Sequence, residues 1–599
     1  METIKKWWET FSAWRSRCLQ WMSKRNRTNW VVFAAFTLLF FVQTLIFDHF
    51  AFRDIPMYTS VQRGFSLIFC KLAAAMLFAS LTFLLRNKRW LILLSVIVDA
   101  WIIANLIYMR NNNIVLDAEA FNMSANLNGY FWSVLIYLEF KIDILFILLT
   151  VLFSCLFFFV PKRTKRSWKC WLLVVVASIA FRQSSEVMFV DEQHKKDIET
   201  TYEVAPFIRE YREAVYGIHY PRTVANTSVL YSPFYIVTDY YLMINNIQPY
   251  RPMNAKDSLM MTEHLAPDYT PEYVPDSLES PLIIVLLESL ENWVVTPEIM
   301  PNLCRFIDND HVFYANRIHT QIVGAPSADG QMIINTGLLP INAGATCLHY
   351  PTNEYPAIMK LAKDSAICLL PHDTKVWNQT QMSPAYGYDS TICYCDIDTI
   401  LFQKLDSLVD HGYKYIQCIT QSTHSPFVNQ YYSHLKLPSS MGWVMRYFMR
   451  GFNALDDGLG YFLRKVESDP KLQNYTIVIT GDHRILPIEK RWRMQDYTGY
   501  WKNDTSKFHW IHHLTPIDDC LPLIIYSPKI SGNPRYTEDA YQMDIYPTYQ
   551  SLLGSGHFYW NGFGINLLDP DTATNKRWIE GEPAYLLSDK VIRNNYFKR

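Results

Sequence analysis

The first third of the chain carries five apolar stretches, each approaching the roughly 20 residues that an α-helix needs to cross a bilayer. They lie at about residues 29–47, 65–85, 90–109, 138–160 and 168–182. Because lipid offers no hydrogen-bond partner to the backbone, a stretch of this kind must be helical. The sequence therefore predicts a transmembrane domain over residues 29–185, with about five transmembrane helices.

Basic residues are distributed unevenly around these stretches. The leader at residues 1–28, the turn after the second stretch and the segment between the fourth and fifth are rich in Lys and Arg, whereas loops 48–64 and 110–137 are poorer. Loops rich in Lys and Arg stay on the cytoplasmic side. The pattern predicts a basic cytoplasmic leader at 1–28 and an extracytoplasmic location, periplasmic or extracellular, for everything after the fifth span.

Lys71 and Asp99 lie inside the second and third predicted spans. A charge within the membrane is costly and marks either a functional site or a pair that fixes helix packing. We favour a packing pair of Lys71 with Asp99, with the Lys71 amine reaching outward, because no feature of the sequence indicates an ion pathway.

The remainder of the chain has a different character. Residues 186–276 are polar and rich in Pro and Tyr towards their end, which predicts a surface linker. From 277 to 570, β-branched apolar runs alternate with helical segments, which predicts an α/β domain with a mainly parallel central sheet. Residues 571–599 form a C-terminal extension, with a final strand expected near Tyr585–Arg599. The predicted strands are Leu282–Leu287, Ala366–Leu370, Tyr413–Thr420, Thr476–Thr480 and Leu521–Tyr526.

Charge composition excludes one class of partner. The formal net charge is -1 and charged residues make up 19% of the chain. Without a global basic field, nucleic acid is not an expected partner.

Two of the predicted strands end in side chains that can hold a metal ion. Glu288 directly follows Leu282–Leu287, and Asp482 and His483 follow Thr476–Thr480 after Gly481. Ligand sites in open α/β sheets lie at the carboxyl ends of the strands. An Asp-His pair alone is more typical of a helix cap, but together with Glu288 it favours a metal site.

Three further residues fall at predicted strand or helix ends. Ser327 precedes a helical segment, where a Ser is usually an N-cap. Beside a divalent metal it would instead be an activated nucleophile, with the helix terminus favouring an incoming phosphate. His372 and His424 each follow a predicted strand, and His424 is placed to supply a proton or to hold a phosphoryl oxygen.

The order of several motifs carries a family resemblance. IVLLESLENW, GAPSADGQM, PHDTKVWN, THSPF, ITGDH and MDIYPTYQSLLG occur in this sequence in that order. In these motifs and in its layout the chain resembles the lipoteichoic acid synthase branch of the alkaline phosphatase/sulfatase superfamily. The resemblance implies five spans followed by an extracytoplasmic sulfatase-like catalytic domain.

Site roles follow from the resemblance residue by residue. It implies a metal site formed by Glu288, Ser327, Asp482 and His483. It also implies a catalytic pair of Ser327, the nucleophile, and His424. It also implies a head-group pocket of His372, Trp377 and Asn378, to which His424 contributes. Asp329 and His509 are possible further site residues; His509 lies in the segment HWIHH, which is equally compatible with a surface loop. Gln379 stands where family members often have Arg, so the bidentate clamp on a phosphate or hydroxyl is lost.

The implied activity is a metal-dependent transfer of a phosphoglycerol head group from a phospholipid to a cell-envelope acceptor, through a phospho-serine intermediate on Ser327. The expected cofactor is a divalent ion, Mn²⁺ first, with Mg²⁺ or Zn²⁺ as alternatives. The donor is phosphatidylglycerol or phosphatidylethanolamine, and the acceptor an envelope glycan or lipid. A phosphoethanolamine transferase is the main alternative. A sulfatase or phosphodiesterase, and a non-catalytic glycan-binding membrane protein, are less favoured.

Overall fold

A computed structural model describes most of the chain. The described ranges are 27–51, 61–112, 138–160, 165–189, 228–234, 253–265, 280–341, 344–362, 365–394, 397–424, 427–437, 443–484, 520–554, 560–569 and 579–598, with a few isolated positions besides. The chain divides into two compact units. The N-terminal unit comprises Met1–Phe121 and Gly129–Pro249, and the C-terminal unit Asn122–Asn128 and Tyr250–Arg599.

The N-terminal unit is helical. Its long helices are α1 (Arg27–Ala51), α2 (Val61–Ala79), α3 (Trp90–Asn112), α4 (Phe140–Ser154) and α5 (Trp168–Phe189). Among the described residues, three helical stretches are long and apolar enough to cross a membrane, namely Arg27–Ala51, Trp90–Arg110 and Phe140–Phe158. A fourth apolar stretch, Leu67–Phe83, is shorter. A helical membrane domain is therefore confirmed with three candidate spans, and the count of about five stays a prediction.

Helix α1 carries polar side chains that bind each of three neighbouring helices. Asp48 pairs with Lys71 of α2 at 2.8 Å, and both side chains are buried. Gln43 donates to Asp99 of α3 at 2.6 Å, and Thr150 of α4 donates to the same carboxylate oxygen at 3.1 Å. The expected Lys71–Asp99 pair is thus wrong, since Lys71 has a closer carboxylate on α1 and is buried. Asp48 thus links α1 to α2, and Gln43, which also donates to Thr150 at 3.3 Å, links α1 to both α3 and α4.

Two described parts of the predicted surface linker are packed. Val229, Leu230 and Tyr231 are buried within the apolar core of the N-terminal unit, where Trp101 donates to Ser232 at 3.0 Å. In the C-terminal unit, α6 (Ala255–Glu263) begins with a capping box formed by residues 254 and 257. The surface linker was predicted from the polar composition of residues 186–276, and that composition concealed short apolar runs such as SVLYSPF.

The C-terminal unit is built on a nine-stranded sheet. Its strands are β1 (Leu282–Leu287), β2 (Val312–His319), β3 (Ala366–Leu370), β4 (Ser390–Cys393), β5 (Tyr415–Ile419), β6 (Thr476–Gly481), β7 (Leu521–Tyr526), β8 (Arg535–Tyr536) and β9 (Ala540–Tyr541). Their spatial order is β4-β3-β5-β1-β6-β7-β2-β8, and β9 also pairs with β2. Strands β4, β3, β5, β1 and β6 run parallel, whereas β7 is antiparallel to both β6 and β2. The sheet predicted to be mainly parallel is therefore mixed, because the apolar run of β7 carries no signal for its direction.

Helices cover both faces of the sheet. They are α7 (Pro301–Ile307), α8 (Pro326–Thr336), α9 (Thr346–His349), α10 (Gln379–Ala385), α11 (Asp398–Asp410), α12 (Trp443–Ser468), α13 (Ile545–Gln550) and α14 (Gly581–Arg593). Side chains of α8, α13 and α14 join one buried apolar cluster, and those of α7, α11 and α12 join the other. Residues of β1 alternate between the two clusters and are buried throughout, as its unbroken apolar sequence predicts. The final strand expected near Tyr585–Arg599 is wrong, because this segment forms most of α14.

The register of the central strands places the site. Leu287 at the end of β1 lies opposite Gly481 at the end of β6. The next residues, Glu288 and Asp482, consequently emerge side by side at one edge of the sheet. Strand β5, which pairs with β1 on its other side, ends at the same edge and leads into the loop that holds His424.

Candidate active site

Three potential metal ligands converge at this edge. Glu288, Asp482 and His483 each present an atom able to ligate a metal, and these atoms lie within 4.8 Å of one another. His483 Nε2 lies 3.3 Å from Glu288 Oε1 and 3.6 Å from Asp482 Oδ2. The grouping follows directly from the parallel pairing of β1 with β6.

Ser289 connects the two carboxylates. Its backbone N–H donates to Asp482 Oδ1 at 2.9 Å, and its hydroxyl donates to Glu288 Oε1 at 2.8 Å. To do so it adopts a left-handed backbone conformation with φ of 56°, which is costly for any residue other than Gly. The strain turns the chain sharply at the end of β1, so that one residue orients two candidate ligands. No pattern around Ser289 in the sequence indicates this role.

The imidazole of His483 is oriented by the backbone. Its Nδ1 lies 2.9 Å from the carbonyl oxygen of Arg484. A carbonyl accepts only, so Nδ1 carries a proton in this contact and Nε2 is the ring nitrogen left to ligate a metal. Metal-binding histidines are commonly fixed by such a contact on the second ring nitrogen.

The arrangement fits a divalent cation. Asp482 Oδ2 is buried and has no hydrogen-bond partner in the part of the chain that the structure describes. An uncompensated buried carboxylate oxygen costs several kcal/mol unless a cation meets it, on the order of the desolvation penalty of a buried ion. Two carboxylates with one imidazole suit manganese or zinc, and the hydroxyl of Ser327 completes a four-member set.

Charge coupling within the group is strong. Burial alone would raise the pKa of Glu288, but the adjacent His483 holds it well below its ordinary value. Burial and the nearby charge of Glu288 raise the pKa of Asp482. Burial would lower the pKa of His483, yet Asp482 and Glu288 together raise it to about 10. In the absence of an ion, a proton on His483 thus offsets part of the negative charge that a metal would otherwise neutralise.

Ser327 reaches this group from helix α8. Pro326 opens the helix, a position that suits its fixed φ and missing N–H, and Ser327 follows in the first turn. Its hydroxyl lies 3.3 Å from Glu288 Oε2 and 3.2 Å from His483 Nε2. The helix terminus also directs unpaired backbone N–H groups towards the same space.

Gly330 allows α8 to approach β6 closely. A Cβ atom at this position would overlap the carbonyl group of Asp482. Gln542 donates to that same carbonyl oxygen at 2.6 Å, so it cannot move freely. The absence of a side chain at Gly330 is therefore what keeps Ser327 next to Asp482 and His483.

Replacing Gly330 with Ala should push α8 away from Asp482. We expect overpacking to cost about 1–3 kcal/mol of unfolding free energy. Displacing Ser327 by about 1 Å would lower turnover about 100-fold. Thermal unfolding and turnover of the variant test this. Gly412→Ala is the comparison, because a methyl there meets open space and only the backbone strain at φ of 88° remains. Equal turnover in the two variants would contradict the close-approach argument.

Asp329 holds the loop before the helix. One of its carboxylate oxygens accepts hydrogen bonds from the backbone N–H groups of Val323, Gly324 and Ala325, at 2.9, 2.9 and 3.0 Å. Burial raises the pKa of Asp329 to about 6, although these three bonds oppose the shift. Asp329, predicted as a possible site residue, thus stabilises the loop before Ser327, because its hydrogen bonds go to the backbone of that loop.

The loop carrying His424 is tied to Glu288. Thr420 accepts a hydrogen bond from the N–H of Glu288 at 2.9 Å, and the hydroxyl of Thr423 donates to the carbonyl of Glu288. His424 is close enough to Glu288 and His372 for its charge to contribute to lowering the pKa of both. His424 directly follows Thr423, so the bond from Thr423 to Glu288 holds this part of the loop near the candidate ligands.

The predicted head-group pocket contains strained backbone. Trp377 and Asn378 have φ of 49° and 53°, two consecutive left-handed residues. Asn378 donates to the carbonyl of Cys347 at 3.0 Å, which supports this turn. Burial, with a smaller contribution from nearby His424, lowers the pKa of His372 to about 4, so His372 is neutral near pH 7. Strain of this kind is concentrated at functional sites.

Gln379 lies in a buried network of amides. Its Nε2 donates to Gln331 at 2.6 Å, and its Oε1 accepts from Ser383 at 2.9 Å. Gln331 in turn donates to Gln417 of β5 at 2.8 Å. Gln331 is one helical turn beyond Ser327, so the network joins α8 to α10 and to the sheet. Position 379 thus supports helix α8, which carries Ser327. His509, the remaining candidate, lies outside the described residues.

Two family models match different parts of the chain. The family model described as lipoteichoic acid synthase N-terminal domain matches residues 16–201, and the model described as sulfatase matches residues 282–555. The two matches together cover most of the chain. The chain is a lipoteichoic acid synthase-like member of the alkaline phosphatase superfamily.

Individual relatives of this lipoteichoic acid synthase-like protein are distant. It is 25% identical over 327 residues to the lipoteichoic acid synthase-like protein YvgJ of Bacillus subtilis. That match spans 48% of this chain and half the length of YvgJ, at 50%. Among solved structures, lipoteichoic acid synthase LtaP of Listeria monocytogenes is 19% identical with a TM-score of 0.42, covering 58% of this chain and 98% of that chain. Lipooligosaccharide phosphoethanolamine transferase A of Neisseria meningitidis is 12% identical with a TM-score of 0.49, covering 88% and 96%.

Ser289 provides a test of ligand orientation in this synthase-like protein. Replacing Ser289 with Ala removes the hydroxyl bond to Glu288 and should weaken Mn²⁺ binding about tenfold, the lower end for groups that orient metal ligands. Isothermal titration of the purified protein measures the change. Ser289→Gly loses the same hydroxyl but relaxes the backbone at φ of 56°. We expect it to bind Mn²⁺ as weakly as Ala while unfolding at a higher temperature; unchanged affinity in both variants would remove Ser289 from the site.

Proposed function

We propose that this protein is a metal-dependent phosphotransferase that moves the phosphoglycerol head group of a phospholipid to a cell-envelope acceptor. The observation that carries the proposal is the position of the Ser327 hydroxyl, within 3.3 Å of both Glu288 and His483. A hydroxyl held against a carboxylate and an imidazole at a helix N-terminus is suited to nucleophilic attack on a phosphate.

Glu288, Ser327, Asp482 and His483 are the residues that would hold the ion, and manganese is the metal we favour. A divalent ion there would lower the pKa of the Ser327 hydroxyl and offset negative charge on the phosphate. Ser289 and the backbone carbonyl of Arg484 keep the ligands oriented, and Asp329 keeps Ser327 in place.

The reaction has two displacement steps. The Ser327 hydroxyl releases its proton to water before the attack and takes one up again when Ser327 is displaced in the second step. Its Oγ forms a bond to phosphorus as the bond from phosphorus to the diacylglycerol oxygen breaks, which leaves the head group as a phosphodiester on Ser327. Diacylglycerol departs after its oxygen takes a proton from His424. An acceptor hydroxyl then gives its proton to His424 and attacks phosphorus, which frees Ser327.

The head group would lie near His372, Trp377 and Asn378. His372, neutral at pH 7, can hydrogen-bond a glycerol hydroxyl as donor or acceptor. The strained turn at residues 377–378 presents an indole ring and an amide to the same region. The donor would be phosphatidylglycerol, and the domain would face the extracytoplasmic side, where envelope acceptors are found.

Phosphoethanolamine is the second candidate head group, because Gln379 stands where the resemblance leads one to expect Arg. The Gln379 side chain is buried and bonded to Gln331 and Ser383, so it offers neither a charge nor a free amide to a glycerol phosphate. A cationic ethanolamine head group would not be repelled by this uncharged position.

The experiment compares the two donors. The full chain is placed in nanodiscs with Mn²⁺ and either phosphatidylglycerol or phosphatidylethanolamine, each labelled in the acyl chain, and diacylglycerol release is measured. We expect release from phosphatidylglycerol to be faster. Faster release from phosphatidylethanolamine would make phosphoethanolamine the transferred head group. No release from either lipid would contradict the transferase proposal.

A further inference from the structure

Two adjacent tyrosines beside the candidate site are strongly exposed. Tyr431 and Tyr432 end a 3₁₀ turn at Val428–Tyr432 and are 75% and 63% exposed. The described residues of the C-terminal unit include five strongly exposed large apolar side chains, and these two are the most exposed and the only pair adjacent in sequence. Isolated exposed apolar residues need no explanation, but an adjacent aromatic pair indicates a binding surface.

The segment that carries them is firmly anchored. Asn453 of helix α12 accepts hydrogen bonds from the hydroxyl of Ser433 at 2.7 Å and from the backbone N–H groups of His434 and Leu435 at 3.1 Å. Asn429 donates to Ser422 at 3.0 Å on the other side of the turn. The tyrosine rings are therefore presented outward by a fixed backbone.

The surroundings are basic. Between Asp410 and Asp456 the sequence has no acidic residue. Exposed Lys436 and half-buried Arg446 and Arg450 lie in this interval. His434 is also exposed, and its nearest acid is Asp457 at 3.6 Å.

Helical spacing directs the two arginines towards the same segment. Arg446 and Arg450 precede Asn453 on α12 by seven and three residues, which places all three on one helix face. Asn453 binds residues 433–435 of this segment, so the two arginines add positive charge to the helix face that lies against it. The Nε atoms of both arginines are buried, so these side chains contribute through their charge.

This surface adjoins the His424 loop. The N–H of Phe427 donates to the carbonyl of His424 at 2.8 Å, and Gln430 donates to the carbonyl of Phe427 at 3.1 Å. Phe427 itself takes a left-handed conformation with φ of 60° and packs against Phe448 of α12. The turn bearing Tyr431 and Tyr432 therefore follows directly from the loop that holds a candidate catalytic residue.

We propose that the surface formed by Tyr431, Tyr432 and Lys436 docks onto an anionic phospholipid bilayer, the source of the donor for the adjacent site. Exposed tyrosines beside basic residues, in an interval of the sequence without acidic residues, are the composition that prefers the membrane–water interface. Phosphate groups of the lipids complement the charge of Lys436, to which the nearby Arg446 and Arg450 add. The proposal rests on the proposed function for the identity of the donor, but not for the docking itself.

Hydrogen exchange tests docking without reference to turnover. The full chain is compared in nanodiscs of phosphatidylcholine with phosphatidylglycerol, in nanodiscs of phosphatidylcholine alone, and in detergent. We expect slower exchange over residues 427–437 only in the anionic nanodiscs, and loss of that slowing in the Tyr431→Ala/Tyr432→Ala variant. Unchanged exchange in β1 and β6 shows that the variant is folded. Equal exchange in all three environments, or slowing by an added envelope glycan instead, would overturn the proposal.

Kinetics separates docking from chemistry. In the double variant we expect the KM for bilayer donor, expressed as mole fraction, to rise about tenfold, and kcat to stay unchanged. Lys436→Glu should raise the KM at least about fivefold, the factor for one basic group near an anionic surface. Tyr461→Ala is the matched control, since Tyr461 is an exposed tyrosine of α12 whose hydroxyl bonds Asp406. A fall in kcat with unchanged KM would overturn the docking role. Slowed exchange without any lipid turnover would instead retain docking and reject the proposed function.

Discussion

Replacing Ser327 with Ala is expected to reduce head-group transfer at least about 1,000-fold, because the variant lacks the atom that bonds to phosphorus. The substitution removes one oxygen from a half-buried position and leaves the helix start at Pro326 unchanged. The fold should therefore be retained. Diacylglycerol release in nanodiscs, together with circular dichroism, measures both properties.

Ser327→Thr is the control for this variant. It keeps a hydroxyl at the same position and should retain measurable transfer, since Thr tolerates a first-turn helical position. If Ala and Thr variants are equally inactive, the loss reflects packing rather than chemistry. Transfer by the Ala variant at the rate of the unmodified protein would exclude Ser327 as nucleophile.

Replacing Asp482 with Asn is expected to remove tightly bound metal. The change keeps the shape of the side chain but exchanges a charged ligand for a weak neutral one. It also removes one of two buried negative charges, so the metal-free variant should be at least as stable as the metal-free parent. A ligand that binds only the native state at 100 times its Kd adds about 2.7 kcal/mol to the unfolding free energy. We therefore expect Mn²⁺ to raise the Tm of the parent but not of the variant.

Asp456→Asn is the matched control for Asp482→Asn. Asp456 is also buried, and burial raises the pKa of its carboxyl to about 6. Its oxygens accept hydrogen bonds from the backbone N–H groups of Asn302 and Leu303 at the start of α7, remote from the candidate ligands in sequence. This variant should lose stability yet keep bound metal, as measured by elemental analysis. Full metal content in Asp482→Asn would contradict the ligand assignment.

The sequence was most informative where a strand end fixes a side chain. The apolar runs that end at Leu287 and Thr480 predicted buried strands, and the parallel register of these strands brings Glu288 next to Asp482. A helical segment was predicted after Ser327, but the helix begins at Pro326, so Ser327 lies in its first turn and is not the N-cap. The sequence pattern therefore located the strand ends that carry the candidate ligands, whereas the pairing of the strands had to come from the structure.

Other features depend on contacts that no local pattern encodes. Ser289 takes a left-handed conformation because Asp482 and Glu288 hold it there, not because of its own preference. The position of Gln379 depends on Gln331 and Gln417, which are distant in the sequence. Similarly, Lys71 pairs with Asp48, since only helix packing decides between two available carboxylates. The direction of each strand could not be predicted from the sequence either, and β7 is antiparallel to its neighbours β6 and β2.

The mass of the protein during turnover tests directly whether Ser327 carries the head group as a covalent intermediate. The full chain in phosphatidylglycerol nanodiscs with Mn²⁺ is quenched without an acceptor, and the peptide containing Ser327 is examined by mass spectrometry. We expect a glycerophosphate adduct on Ser327 that is absent from Ser327→Ala and disappears when an acceptor is added. Diacylglycerol release with no adduct on Ser327 at any time would contradict it.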